Sequence, residues 1–119
     1  MKYIVSKHCG FCSGVKRAVE SAYKNAGENT VTYGELIHNK IVVDKLAEKG
    51  VTAVNDISQC IGKKVIVRSH GAGKDFFDKA SALGIEVVDA TCPFVKKIHD
   101  IVYRHYIDGY HIAIIGKAG

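Results

Sequence analysis

What the sequence has little of narrows it first. Its 119 residues contain one proline, no tryptophan, one methionine and four cysteines. No biased or repetitive tract occurs, and 47% hydrophobic with 24% charged residues excludes a disordered chain or a repetitive polymer. No apolar run approaches the roughly 20 residues that span a bilayer. The apolar start Tyr3-Ile4-Val5 is too short for a signal-peptide core before His8 and Cys9. The expectation is therefore a cytoplasmic chain with no membrane contact. At this length folding removes roughly two-thirds of the unfolded surface, enough for one core without a disulfide or metal staple and too little for two ordinary domains. In a reducing compartment the cysteines then read as metal ligands, redox groups or small buried hydrophobes.

Acidic residues are also in short supply, 12 against 17 Lys and Arg, giving a net charge of +5. Such an excess attracts phosphates, nucleic acid or an acidic partner. The basic residues are scattered and lack an aromatic-interleaved groove, which argues against nucleic acid.

The apolar pattern switches repeatedly between period two and a period of about 3.6, with no linker between segments. Tyr3-Ile4-Val5 predicts a short strand. Val15, Ala18, Val19, Ala22, Tyr23 and Ala26 share one helical face, with Gly27 as the residue that ends it. Val31-Thr32-Tyr33 predicts the next strand, and Asn39 caps a helix through Ile41, Val42, Lys45, Leu46 and Lys49 that stops at Gly50. Thr52-Ala53-Val54 predicts a further short strand. Lys64 to Val67 is a β-branched run suited to a buried parallel strand, followed by a helix from about Lys74 to Leu83 that stops at Gly84. Ile85 to Val88 predicts a strand and Phe94 to His105 a helix opened by Pro93. His111 to Ile115 predicts a final buried strand running into Gly116-Lys117-Ala118-Gly119. Alternating strands and helices define an α/β fold, a parallel sheet with flanking helices.

In such folds the loops leaving the C-terminal strand ends share one rim. Cys12, His38, His70 and Cys92 each fall in a loop of this kind, at or before a helix start. In His8-Cys9-Gly10-Phe11-Cys12-Ser13-Gly14-Val15-Lys16-Arg17, a thiolate at the helix N-terminus is stabilised by the helix dipole and nearby cations. Cys9 and Cys12 also have the C-x-x-C spacing of thiol-redox proteins and of half a zinc site. In Arg68-Ser69-His70-Gly71-Ala72-Gly73 the glycines let backbone N–H groups approach an anion, and Leu36-Ile37-His38-Asn39 supplies a second imidazole. Cys60 reads as a buried hydrophobe, His99 as a residue near the buried helix stripe, and Lys96 and Lys97 as a solvated face. His105 and His111 suggest no partner.

Four segments together, Gly10 to Ala18, Ile37-His38-Asn39, Ser69-His70-Gly71 and Asp89-Ala90-Thr91-Cys92-Pro93-Phe94-Val95, closely resemble the N-terminal part of the LytB family of 4-hydroxy-3-methylbut-2-enyl diphosphate reductases. The match runs in order along the whole chain. What the resemblance implies is a three-domain enzyme of the non-mevalonate isoprenoid pathway, of which residues 1–9 are a strand of the third domain's sheet, 10–92 the first α/β domain and 93–119 the start of the second. Its reaction is a reductive dehydroxylation of the allylic diphosphate to isopentenyl and dimethylallyl diphosphates. It uses a 4Fe-4S iron–sulfur cluster held by three cysteines, with ferredoxin or flavodoxin as electron donor. By the same resemblance Cys12 and Cys92 are two of the metal ligands, and His38 and His70 contact the substrate diphosphate. The third cysteine and the proton relay match nothing in this chain, so no catalytic residue is assigned within it and the fragment alone is expected to be inactive. Neither Cys9 nor Cys60 matches the missing ligand. Tyr3 to Val5 is expected to lack its family neighbours, and the oligomeric state is left open. The residues by themselves also leave open a stand-alone phosphate- or metal-binding module.

Overall fold

The computed structural model describes residues 2–7 and 9–116. His8, in the thiol motif, and Lys117 to Gly119, in the expected terminal glycine-rich loop, lie outside the described residues.

The element order is α1 (Ser13–Lys24), β1 (Thr30–Tyr33), α2 (Lys40–Ala47), β2 (Thr52–Val54), a single 3-10 turn (Ile57–Cys60), β3 (Lys64–Val67), α3 (Lys74–Ala82), β4 (Glu86–Asp89) and α4 (Pro93–Ile107). All strands are parallel, in the order β2-β1-β3-β4. Val31 stands beside Thr52 on one side and Val65 on the other, and Val65 beside Val87.

The alternation of β3 builds a core on each face of the sheet, because successive side chains of a strand point to opposite sides. Ile66 joins Ala18 and Ala22 of α1, Leu36, Ile37, and Leu46 of α2. Val65 and Val67 join Val31, Cys60, and Phe76 and Ala80 of α3. The two alanines one helical turn apart in α1 are fully buried and bring that helix close to the sheet. On the opposite face Phe76 stacks on Tyr33 with ring centroids 4.2 Å apart.

Local signals place the helix ends. Asn39 Oδ1 accepts a hydrogen bond from Val42 N–H at 3.2 Å and caps α2. Gly50 and Gly84 adopt the left-handed conformation expected after α2 and α3. Gly27 does not; α1 ends earlier, where Asn25 donates both its backbone N–H and its Nδ2 to Ser21 O.

Two predicted strands are corrected. Tyr3-Ile4-Val5 pairs with no strand among the described residues, and Ile4 is 98% exposed. His111 to Ile115 likewise has no ladder partner among the described residues, with Ile115 99% exposed. A strand exists only where a neighbour completes its hydrogen-bond row, and a β-branched composition supplies no neighbour. The stripe of α4 is open for a related reason: none of its residues is buried, and Phe94, Ile98 and Tyr106 are exposed.

This division of burial gives a prediction. Ile66→Ala removes a fully buried side chain from the central sheet and lowers unfolding free energy by about 2–5 kcal/mol. Phe94→Ala, on the open helix, changes it by about 0.5 kcal/mol or less. Equilibrium urea denaturation separates the two, and equal losses would contradict the burial described.

Candidate functional site: two helix N-termini and a strand switch point

The strand order reverses direction between β1 and β3. After β1 the chain passes into α2 on one face, and after β3 it passes into α3 on the other, so the two loops part and leave a crevice at the strand ends, the place where open α/β sheets bind ligands. His38 lies in the first loop and His70 in the second. Their rings come together with centroids 6.2 Å apart and planes inclined by 31°. Both histidines are exposed, and His38 Nδ1 is 3.4 Å from Glu35 Oε2.

Backbone geometry fixes His70. A turn closes from Gly71 N–H to Arg68 O at 2.9 Å, and Gly71 has φ +83°. A Cβ at Gly71 would stand 3.1 Å from His99 Cε1 and 3.2 Å from Thr91 Cγ2. The residue after His70 is thus glycine for both its conformation and its lack of space.

The two candidate metal ligands occupy equivalent places. Cys12 is the residue before the first turn of α1 and Cys92 the residue before the first turn of α4, with Pro93 in that turn. Neither side chain caps its own helix, and both are free thiols. A Cβ on Gly14 would lie 2.6 Å from Cys92 Sγ. The missing side chain at Gly14 is what lets the Cys92 thiol rest on the first turn of α1, two residues from Cys12. The N-terminus of α4 therefore packs against the N-terminus of α1 at the Cys92 thiol, and the positive dipole ends of the two helices face one region, an environment suited to bound anions.

The remaining cysteines separate cleanly. Cys60 is fully buried in the sheet core, and burial pushes its thiol pKa up. Cys9 is exposed. Among the described residues no three His, Cys, Asp or Glu side chains converge on one point to hold an ion. The two thiols are of the donor type that a metal cluster takes.

The residues that support Cys92 come from two loops brought together by the sheet. The loop after β4 is stapled to the loop after β3: Ala90 N–H donates to Val67 O at 3.1 Å and Cys92 N–H to Ser69 O at 2.9 Å. Asp89 Oδ1 accepts from Thr91 N–H at 3.0 Å and from the Thr91 hydroxyl, and Asp89 Oδ2 pairs with Lys96 Nζ at 2.5 Å. Burial would raise the Asp89 pKa, but the hydrogen bonds from Lys96 and Thr91 outweigh it and hold the carboxyl below its ordinary value. Lys96 and Lys97 are exposed as a solvated face requires, and the Lys96 ammonium is in addition paired with Asp89. An Asp two residues before a Thr is a recognisable local turn pattern, whereas the partner seven residues on carries no sequence signal. His99 also departs from expectation: it is exposed and, with Tyr33, Arg68, His70, Lys74 and Tyr103, lines a cleft of about 1080 Å³. Neither Cys12, Cys92 nor His38 lines that cleft.

The class of protein is thus a parallel α/β sheet with two imidazoles at its switch point and a free thiol at the N-terminus of each of two adjoining helices. The family model described as LytB protein matches residues 3–119, and the chain belongs to that family. It is 45% identical over 123 residues to a 4-hydroxy-3-methylbut-2-enyl diphosphate reductase of Thermoanaerobacter sp. (strain X514), covering 98% of this chain and 43% of that protein. Its fold is similar to the E-1-hydroxy-2-methyl-but-2-enyl-4-diphosphate reductase from Plasmodium falciparum, with a TM-score of 0.80 and 29% identity over 87% of this chain and 34% of that one. It is also similar to the structure of an (E)-4-hydroxy-3-methyl-but-2-enyl diphosphate reductase described as the terminal enzyme of the non-mevalonate pathway, with a TM-score of 0.75 and 38% identity over 90% of this chain and 39% of that one. The chain thus spans less than half the length of the relatives it matches.

The Gly14 contact is testable. Gly14→Ala drives a methyl group into the Cys92 thiol and displaces it, so alkylation of Cys92, followed by mass spectrometry, speeds up while buried Cys60 stays unreactive. An unchanged Cys92 rate would show that the contact does not hold the thiol.

Proposed function

We propose that this chain supplies the N-terminal share of a 4-hydroxy-3-methylbut-2-enyl diphosphate reductase, with Cys12 and Cys92 as two of the ligands of a 4Fe-4S cluster and His38 and His70 as diphosphate contacts. The observation that carries the reading is the packing of the Cys92 thiol on Gly14, two residues along the chain from Cys12, beside a sheet switch point at which His38 and His70 are paired. The reaction takes two electrons and two protons, breaks the allylic C–O bond and releases water, giving isopentenyl and dimethylallyl diphosphates. When bound, the cluster supplies the electrons and an open iron that polarises the hydroxyl.

The chain's own residues bind and orient. His38 and His70 donate N–H groups to diphosphate oxygens from the two sides of the switch point, and protonation of either strengthens the contact. The N-terminal dipoles of α1 and α4 favour the negative charge gathered between them. In this reading residues 10–92 form the first α/β domain, 93–119 begin the second, and residues 1–9 join the sheet of the third. The electron donor is of the ferredoxin or flavodoxin class, and the protein works in the cytoplasm, where thiols stay reduced. No helix of the described residues is long and apolar enough to cross a membrane.

A second reading, an anion- or metal-binding module acting alone, draws on the self-contained two-faced core of the four-stranded sheet. The readings part at the coding region: continuation into a segment bearing a further cysteine supports the reductase, and a stop codon after Gly119 supports the module.

In the full-length chain, anaerobically reconstituted, Cys12→Ser or Cys92→Ser lowers the iron content and brings turnover to background. His38→Ala or His70→Ala leaves iron in place and weakens substrate binding by about 10- to 100-fold each, the worth of a hydrogen bond to a charged group. Iron counting with steady-state kinetics checks both, and a fully loaded, active cysteine variant would overturn the ligand assignment.

A further inference from the structure

We infer that Asp89 is the positioning residue for Cys92: its carboxylate locks the turn that holds the Cys92 thiol against Gly14. The inference rests on the reading of Cys92 as a metal ligand and extends it to a residue that acts through the turn around that cysteine.

Three ties surround Cys92. Its N–H is held by Ser69 O at 2.9 Å, and its carbonyl accepts Lys96 N–H at 2.9 Å. Its predecessor Thr91 is buried, and both its N–H and its hydroxyl donate to Asp89 Oδ1. The second carboxylate oxygen pairs with Lys96 Nζ at 2.5 Å, so Asp89 binds the residues on both sides of the cysteine. With the backbone fixed from 89 to 96, the freedom left to Cys92 is rotation of its own side chain, which Gly14 limits from one side.

The charges make sense only as a set. A lysine in the first turn of a helix opposes the helix dipole, and an unpaired carboxylate beside a thiolate repels it. Paired, Asp89 and Lys96 present no net charge to Cys92 while keeping the geometry of both groups. The same turn reaches the histidine loop, because the Thr91 methyl lies against Gly71. Asp89 thereby couples the position of Cys92 to that of His70. Partners one shell out from metal ligands commonly set how well the ligands hold the metal.

The experiment uses the full-length chain and two readouts besides activity: the alkylation rates of Cys92 and Cys12 in the metal-free protein, and resistance of the reconstituted cluster to a chelator. Asp89→Ala speeds alkylation of Cys92, leaves Cys12 unchanged and weakens retention of iron by about 10- to 100-fold. Thr91→Val, which keeps the packing on Gly71 and removes the hydroxyl, shifts both readouts in the same direction. Thr91→Ser, which restores the hydroxyl, returns them to wild type. Wild-type values in Asp89→Ala overturn the inference, as does an equal change at both cysteines with a lowered melting temperature, which marks general unfolding. If Asp89→Ala does not fold, the Thr91 pair decides by the same criteria. Should the wild-type chain hold no iron, or Cys92→Ser retain it, the cluster reading fails, while the alkylation rates still decide whether Asp89 positions the thiol.

Discussion

The hydrogen-bond row between β3 and β4 does not stop where the strands do, and the site depends on that continuation. Val67 O and Ser69 O go on accepting N–H groups from Ala90 and Cys92. The loop that carries a histidine and the loop that carries a cysteine are therefore one piece of backbone, anchored in the strand whose side chains form both cores. A site mounted on such an extension inherits the rigidity of the sheet, which matters because ligand geometry tolerates little drift.

Small residues do the rest of the positioning. Gly14 leaves room for a thiol and Gly71 for a threonine and an imidazole, and in both places a methyl group would collide with a neighbour. Close approach lets two helix N-termini act on the same region, which one helix alone would do weakly because a dipole's influence fades within its first turn. The Asp89–Lys96 pair, only partly exposed, offsets the cost of placing a lysine near one of those termini.

Beyond β4 the character of the chain changes. The sheet and α1 to α3 bury their apolar faces, while α4 leaves Phe94, Ile98, Ile101 and Tyr106 open, and the extended segments 3–5 and 110–116 have no ladder partner among the described residues. The same hydrophobic pattern thus has two outcomes, set by whether a facing surface is present. The break falls at Cys92, so this cysteine belongs at once to the last sheet loop and to the first open helix.

Much of this was legible in the sequence. The β-branched run at 64–67, the Asn39 cap, the glycines at 50 and 84 and Pro93 define elements through local sterics and hydrogen bonding, and local forces act between neighbours in the chain. From strand and helix alternation followed the parallel sheet, its rim, and the placement of His38, His70 and Cys92 upon it, whereas the strand expected before Cys12 does not form. Tertiary structure alone decided the rest: that 111–115 finds no ladder partner among the described residues, that His38 meets His70 at the switch point, that the Cys92 thiol rests on Gly14, and that Lys96 answers Asp89. Each of these depends on groups distant in the sequence or on the presence of a neighbouring surface, and periodicity along one chain records which face is apolar without recording what lies against it.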